Sequence, residues 1–318
     1  MLSGSEEPDA SKVTVSPTKG FAGEYVKAAT GGLGSMGSKL YGSGRDWTAE
    51  GRRYLGGMSA APASPTGNRT GDVTLATAGG VATVTFSHPK GNSLPGTLLT
   101  LLANEITSAG TNPKARVIVL RSAGEGAFCA GASFDELAAI SSPEAGTEFF
   151  SGFARVILAM IRAPKFVVAR VHGKVVGGGV GLVAASDYAL AVRAASAKLS
   201  ELALGIGPFV VGPCIERKIG LGACSAMAAD ADWRDADWCE RHGLYACVYA
   251  DAAELDAALD ARARTLAASS PDAMAQLKRT FWAGTERWEE LLASRAVLSG
   301  TLVLSDFAQR AIASAKRT

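Results

Sequence analysis

The chain has 318 residues, a formal charge of +2, 47% apolar residues and only 7% aromatic ones. That length allows one large domain or two ordinary ones, and the near-neutral charge does not favour nucleic acid or an anionic membrane surface as partner. No apolar run approaches the roughly 20 residues needed to span a bilayer. The five cysteines (Cys129, Cys214, Cys224, Cys239, Cys247) form no CxxC pair and the three histidines lie far apart, so no metal site is expected. These features predict a reduced, cytoplasmic, soluble protein with a core built mainly from Ala, Val, Leu and Ile.

Residues 1–70 are rich in Gly, Ser, Ala, Pro and Thr, as in Ala60-Ala61-Pro62-Ala63-Ser64-Pro65, and read as a disordered or non-native N-terminal extension. Met58, after Gly56-Gly57, is an alternative start. Order is expected from Asp72. Val73–Thr77 and Val81–Phe86 flank Ala78-Gly79-Gly80 as a hairpin. Leu98–Ala109 reads as a helix stopped before Asn112-Pro113, and Val117–Leu120 as a short buried strand. The turn Phe128-Cys129-Ala130-Gly131-Ala132 precedes a helix through Leu137. Phe149–Ile161 is an amphipathic helix, Phe166–Val171 a strand, and Leu182–Ala185 an apolar helical stretch. Tyr188–Val192 is a further strand. From Glu254 the pattern is wholly helical: Leu255–Ala268, Pro271–Trp282 and Trp288–Ala313. Strands alternating with helices predict an α/β fold.

Two strand-to-helix turns carry clustered glycines, Cys129-Ala130-Gly131-Ala132 and Gly177-Gly178-Gly179. Such turns leave backbone N–H groups bare and approachable, and brought together they can hold a charge that develops during a reaction. Taken singly, each turn is more often tight packing. A nucleotide site is not supported: GxxxxGK followed by Ser or Thr is absent, and Gly177–Gly181 lacks clean GxGxxG spacing.

Phe128-Cys129-Ala130-Gly131-Ala132, the run His172-Gly173 to Gly179, and Lys198-Leu199-Ser200-Glu201-Leu202 follow one another in an order and spacing that resemble the enoyl-CoA hydratase/isomerase (crotonase) superfamily. The resemblance covers about residues 72–318. It implies a spiral of ββα units over 71–252, with a C-terminal helical region, 253–318, for assembly and closure of the acyl-CoA site. It also implies an acyl-CoA thioester as substrate, no separate cofactor, and a homotrimer or hexamer. The N–H groups of Ala132 and Gly178 are then the oxyanion donors, and bulk at Gly178 is expected to block the approach.

Hydratases of this superfamily usually carry two glutamates. The later one falls on Glu201, whereas the earlier one falls on Gly181, which has no side chain. Ser133 stands where the family usually has Asp, and Gly207-Pro208-Phe209 replaces its Pro-Gly-Ala-Gly-Gly run. Asp135, Glu136 and Glu148 are the candidates for a second acid. For CoA the resemblance points to Asn92-Ser93-Leu94, to Ala130, and to Lys278, Arg279 and Phe281 on a C-terminal helix. His88 and His172, with no acid nearby in sequence, are read as structural. A single base suits the shift of a double bond from C3 to C2, and adding water normally asks for two groups. The expected activity is therefore 3-enoyl to 2-enoyl isomerisation. Hydration of a straight or branched thioester, such as methylglutaconyl-CoA, is the alternative. Decarboxylation through an enolate and a non-catalytic acyl-CoA-binding or scaffolding role stay open.

Overall fold

The computed structural model describes residues 71–315, so the expected extension over 1–70 lies outside the described residues. Strands β1 (Asp72–Ala78) and β2 (Val81–Ser87) form the hairpin, turning through Gly79 and Gly80 at φ +55° and +82°. Two successive left-handed residues give a turn whose twist matches the strands, and glycine adopts that backbone without a Cβ penalty. Alternate side chains of β2, Ala82, Val84 and Phe86, are fully buried, as the period of a sheet with one packed face requires.

β3 (Val117–Ser122), β4 (Val167–Val171), β6 (Tyr188–Val192) and β9 (Cys247–Tyr249) extend this sheet in parallel, in the order β1-β2-β3-β4-β6-β9. The helices α1 (Gly96–Thr111), α2 (Phe134–Ala139), α3 (Pro143–Arg162) and α4 (Gly178–Ala185) punctuate the strands. β4 is buried along its whole length and so is α4, which is why α4 reads as an unbroken apolar or small-residue run and β4 as one interrupted only by Arg170, whose guanidinium donates to Asp256 at 2.9 Å. Ser142 caps α3 by accepting from the Ala145 N–H at 3.2 Å, and Pro143 occupies the first turn.

A second, smaller sheet was not apparent in the sequence. β5 (Val175–Val176) pairs in parallel with β7 (Ser196–Lys198), which pairs antiparallel with β8 (Arg234–Asp235). Its strands are too short to display a period, yet it matters most for the site. The Val176–Lys198 register, with the Gly177 N–H donating to the Lys198 carbonyl at 2.9 Å, places the start of α4 beside the stretch leading into Glu201.

After α5 (Gly212–Asp230) and α6 (Ala236–Arg241), four helices close the chain: α7 (Ala252–Ala267), α8 (Pro271–Phe281), α9 (Trp288–Leu302) and α10 (Asp306–Ala315). The single helix expected over 288–313 is broken, with α9 and α10 meeting at 82°. Ser305 caps α10 by accepting from the Ala308 N–H, and the Gln309 amide satisfies the freed Val303 carbonyl. The break turns α10 onto the segment after Glu201: a Cβ built on Gly205 (φ +74°) would lie 2.5 Å from the Phe307 ring. α9 crosses α3 at a glycine pair, where a Cβ on Gly146 would meet the Gly300 Cα at 2.8 Å.

Candidate active site

The two glycine turns are neighbours in space. The Cys129 N–H donates to the Lys174 carbonyl and the Val176 N–H to the Cys129 carbonyl, so the exits of both strand segments run side by side. Gly131, at φ +85°, has no room for a side chain: a Cβ there would stand 2.8 Å from the Val176 oxygen and 3.7 Å from the Gly178 nitrogen. The backbone bridge between Leu94 and Ala132 uses the Leu94 N–H to the Gly131 carbonyl and the Ser133 N–H to the Leu94 carbonyl. The N–H of Ala132 itself takes no part in that pairing. Gly178 opens α4, so its N–H has no acceptor one turn back in the helix.

Ala132, Gly178 and Glu201 line one slot of about 530 Å³ including its open mouth. Its walls are aliphatic and aromatic, with Phe134, Phe150, Phe153, Leu204, Phe209 and Val211 prominent. Gly177 takes φ +52° and faces the carboxylate: a Cβ there would lie 2.9 Å from Glu201 Oε1. Glycine at 177 thus serves the turn and clears space for the acid.

Glu201 is half-buried as a residue, but its Oε2 is sealed from solvent and has no hydrogen-bond partner. Burial pushes its carboxyl up from 4.5 to about 7, with backbone hydrogen bonds at Glu201 and Ser200 opposing this. Its own backbone is firmly held, since its carbonyl accepts from the N–H groups of Leu204 and Ile206. A fixed backbone and a carboxylate with one oxygen, Oε2, left without a partner suit a group that moves a proton.

None of the proposed second acids lines the slot. Asp135 pairs with Lys90 at a neighbouring surface cleft. Glu136 accepts from the Gly96 N–H at 2.7 Å and so caps α1. Glu148 is exposed and pairs with Arg155 at 2.7 Å. The place of the missing glutamate is filled by a neighbour. A Cβ built on Gly181 would stand 2.5 Å from Val211 Cγ1 and 2.7 Å from its Cβ, and that valine is 4% exposed.

The CoA candidates divide. Ala130 lines the slot, and Ala130 and Ser93 also line the cleft beside its mouth. Asn92, in the left-handed region at φ +56°, is a loop staple: its Oδ1 accepts from the His88 N–H, and its Nδ2 donates to the carbonyls of Ala123 and Ala127. Leu94 is fully buried and contributes through its backbone bridge to Ala132. His88 bonds Ser93 Oγ through Nδ1, and His172 has both ring nitrogens buried without partners.

Lys278, to which the resemblance points for CoA, is turned into the protein in this structure. It is 2% exposed, and its ammonium donates to the carbonyls of Met160 and Lys165 at 2.6 and 2.8 Å and meets Asp187 at 2.8 Å. Those partners, with burial lowering its pKa, make it a tie between α8 and the core. Lys278→Met is therefore expected to cost about 3 kcal/mol, because it takes the ammonium from the buried Asp187 carboxylate, which keeps the N–H groups of Val167 and the Trp282 indole as donors. Denaturant unfolding should show that loss, with thioester KM unchanged in the folded fraction. Phe281 is exposed and stacks on Phe166 away from the slot, with centroids 6.3 Å apart. Arg279 is exposed on the same helix.

Sequence reasoning missed Phe153, which covers Gly178: a Cβ built there would lie 2.1 Å from Phe153 Cε1. It also missed Val211 and Ser299 as parts of the slot. Phe149 and Phe153 sit one turn apart on the amphipathic face of α3, so the pattern announced burial without saying against what.

Comparison with known proteins accords with this architecture. The chain is 33% identical over 168 residues to human mitochondrial methylglutaconyl-CoA hydratase, covering 52% of this chain and 49% of that one. It is 27% identical over 209 residues to carnitinyl-CoA dehydratase of Salmonella enteritidis, covering 65% and 79%. The chain spans about half the length of several of the curated relatives it matches. Among solved structures, an enoyl-CoA hydratase from Mycobacterium avium superposes with a TM-score of 0.69 at 28% identity, covering 77% of this chain and 96% of that one. One from Bacillus halodurans has the same fold, with a TM-score of 0.71 at 20% identity over 76% and 99%. The family model described as enoyl-CoA hydratase/isomerase matches residues 76–303. The chain belongs to the enoyl-CoA hydratase/isomerase family.

Proposed function

We propose that the protein moves a carbon–carbon double bond in an acyl-CoA thioester from C3 to C2, using Glu201 as its single proton shuttle. The observation that carries this reading is the packing of Val211 against Gly181, which fills the place of a second carboxylate and leaves one acid in the slot.

With the thioester oxygen between the N–H groups of Ala132 and Gly178, Glu201 takes a proton from C2. The electron pair delocalises as a dienolate, with negative charge on that oxygen. Preorganised donors aimed at such a charge typically contribute about 3 kcal/mol each to the transition state. The newly formed carboxylic acid then gives its proton to C4, and the double bond closes between C2 and C3. The proton is conserved, and water is not required. A carboxyl titrating near 7 suits this shuttle, because its charged and neutral forms lie close in free energy at neutral pH.

Hydration is the reading suggested by the names of the relatives, and it needs a group to activate water. Among the described residues the slot offers no second ionisable side chain for that task.

The pH dependence tests the role of Glu201. The base must be ionised in the free enzyme, so kcat/KM for a 3-enoyl-CoA is expected to rise tenfold per unit at low pH and to level off above about 7. A limb centred near 4.5, the ordinary glutamate value, contradicts the buried-base account.

A further inference from the structure

The charge pattern of the slot goes further than the reaction and rests on reading the slot as the acyl site. Among the described residues that line it, Glu201 is the sole ionisable side chain; there is no Lys, Arg or His. The far walls are hydrocarbon: Leu137, Phe150, Ile206, Phe209 and Val210 face the same space as the two backbone donors. Ser200 and Ser299 are the neutral polar side chains present.

We infer that the acyl group this protein accepts is an uncharged hydrocarbon chain, and that thioesters ending in a second carboxylate are rejected. Two physical effects act together. A terminal carboxylate entering this slot loses its water and finds no cation to replace it. It also enters beside Glu201, whose Oε2 is already buried without a partner, so two like charges share a low-dielectric space. Lys90, in the adjoining cleft that shares Ala130, Ala132 and Phe134 with the slot, is paired with Asp135 and does not line the slot. The same reasoning separates this chain from relatives named for a methylglutaconyl thioester, an acyl group with a free terminal carboxylate.

The test measures binding without turnover. Hexanoyl-CoA and adipoyl-CoA have the same six-carbon chain and differ at its end, a methyl in one and a carboxylate in the other. Neither has a double bond to move. Calorimetric titration of the full chain with each, and with free CoA as reference, is carried out at pH 8, where Glu201 is ionised. Hexanoyl-CoA is expected to bind at least 10-fold more tightly than CoA, and adipoyl-CoA at least 30-fold more weakly than hexanoyl-CoA. A smaller discrimination against adipoyl-CoA overturns the inference. Hexanoyl-CoA binding less than 10-fold more tightly than CoA overturns it too, because the slot would then not hold the chain. A strong preference for hexanoyl-CoA in a protein that fails to shift double bonds would leave this inference standing and remove the proposed reaction, so the two fail separately.

Discussion

Glu201→Gln is expected to lower kcat for the double-bond shift by about 10³-fold, within the usual range for loss of a general base, and to make the protein more stable at pH 8. The two effects share one cause. In the unfolded chain the carboxyl titrates near 4.5, and in the folded protein near 7. Between these values the unfolded chain has released a proton that the folded chain still holds. Folding stability contributed by the neutral carboxyl is therefore complete below pH 4.5 and is lost as pH rises through about 7. Glutamine removes the titration. At pH 8 the variant is expected to gain about 1–3 kcal/mol over wild type, the upper end being the cost of a shift of this size and the lower end allowing for a buried amide without partners. Urea unfolding at pH 8 and pH 4 reads this directly, with the gain confined to the higher pH. A variant that is less active but no more stable at pH 8 would show that the carboxylate is solvated, and that its place in the slot has been misjudged.

The second large effect concerns the position that distinguishes this chain from two-acid hydratases. Gly181→Glu is expected to unfold or severely destabilise the protein and to confer no hydration. The new Cβ would sit 2.5 Å from Val211 Cγ1, an overlap that forces neighbours to move at about 1–3 kcal/mol. The carboxyl beyond it would also be buried without a cation. Removing the obstruction as well, in Gly181→Glu with Val211→Gly, takes away the two atoms a Cβ would strike, at 2.5 and 2.7 Å, and leaves the Val211 Cα at 3.6 Å, an ordinary contact. The double variant is expected to recover soluble folded protein and to gain measurable water addition to a 2-enoyl-CoA. Size-exclusion chromatography and melting curves check the first point, and formation of 3-hydroxyacyl-CoA checks the second. A single Gly181→Glu variant that folds as well as wild type and hydrates would show that Val211 yields easily and that its packing does not decide the reaction.

The α/β order was legible because it is written in local patterns. The Gly79-Gly80 hairpin and the strands β3, β4 and β6 all appear within a residue or two of where their apolar runs place them. The family was legible from three motifs, each brief, whose spacing is informative only together. What escaped depends on contacts between distant segments. No local rule says that Val211 fills the space beside Gly181, or that Phe153 covers Gly178. β5, β7 and β8 are two or three residues long, below the length at which a period is visible. Two misses did carry a signal. Lys278 lies four residues from both Met274 and Trp282, each buried, so the helical period placed it on the inward face of α8. The break between α9 and α10 has Ser305 followed by Asp306, a helix-start pattern overlooked inside an apolar run.

One reaction mixture tests the central claim, that a single carboxylate moves a proton without adding water. Wild-type protein is incubated with 3-hexenoyl-CoA in ¹⁸O-labelled water, and the acyl products are resolved by mass spectrometry. One-base isomerisation predicts 2-hexenoyl-CoA with no label in the acyl chain and no growth of a 3-hydroxy product. Accumulation of ¹⁸O-labelled 3-hydroxyhexanoyl-CoA at a rate matching the double-bond shift would contradict it.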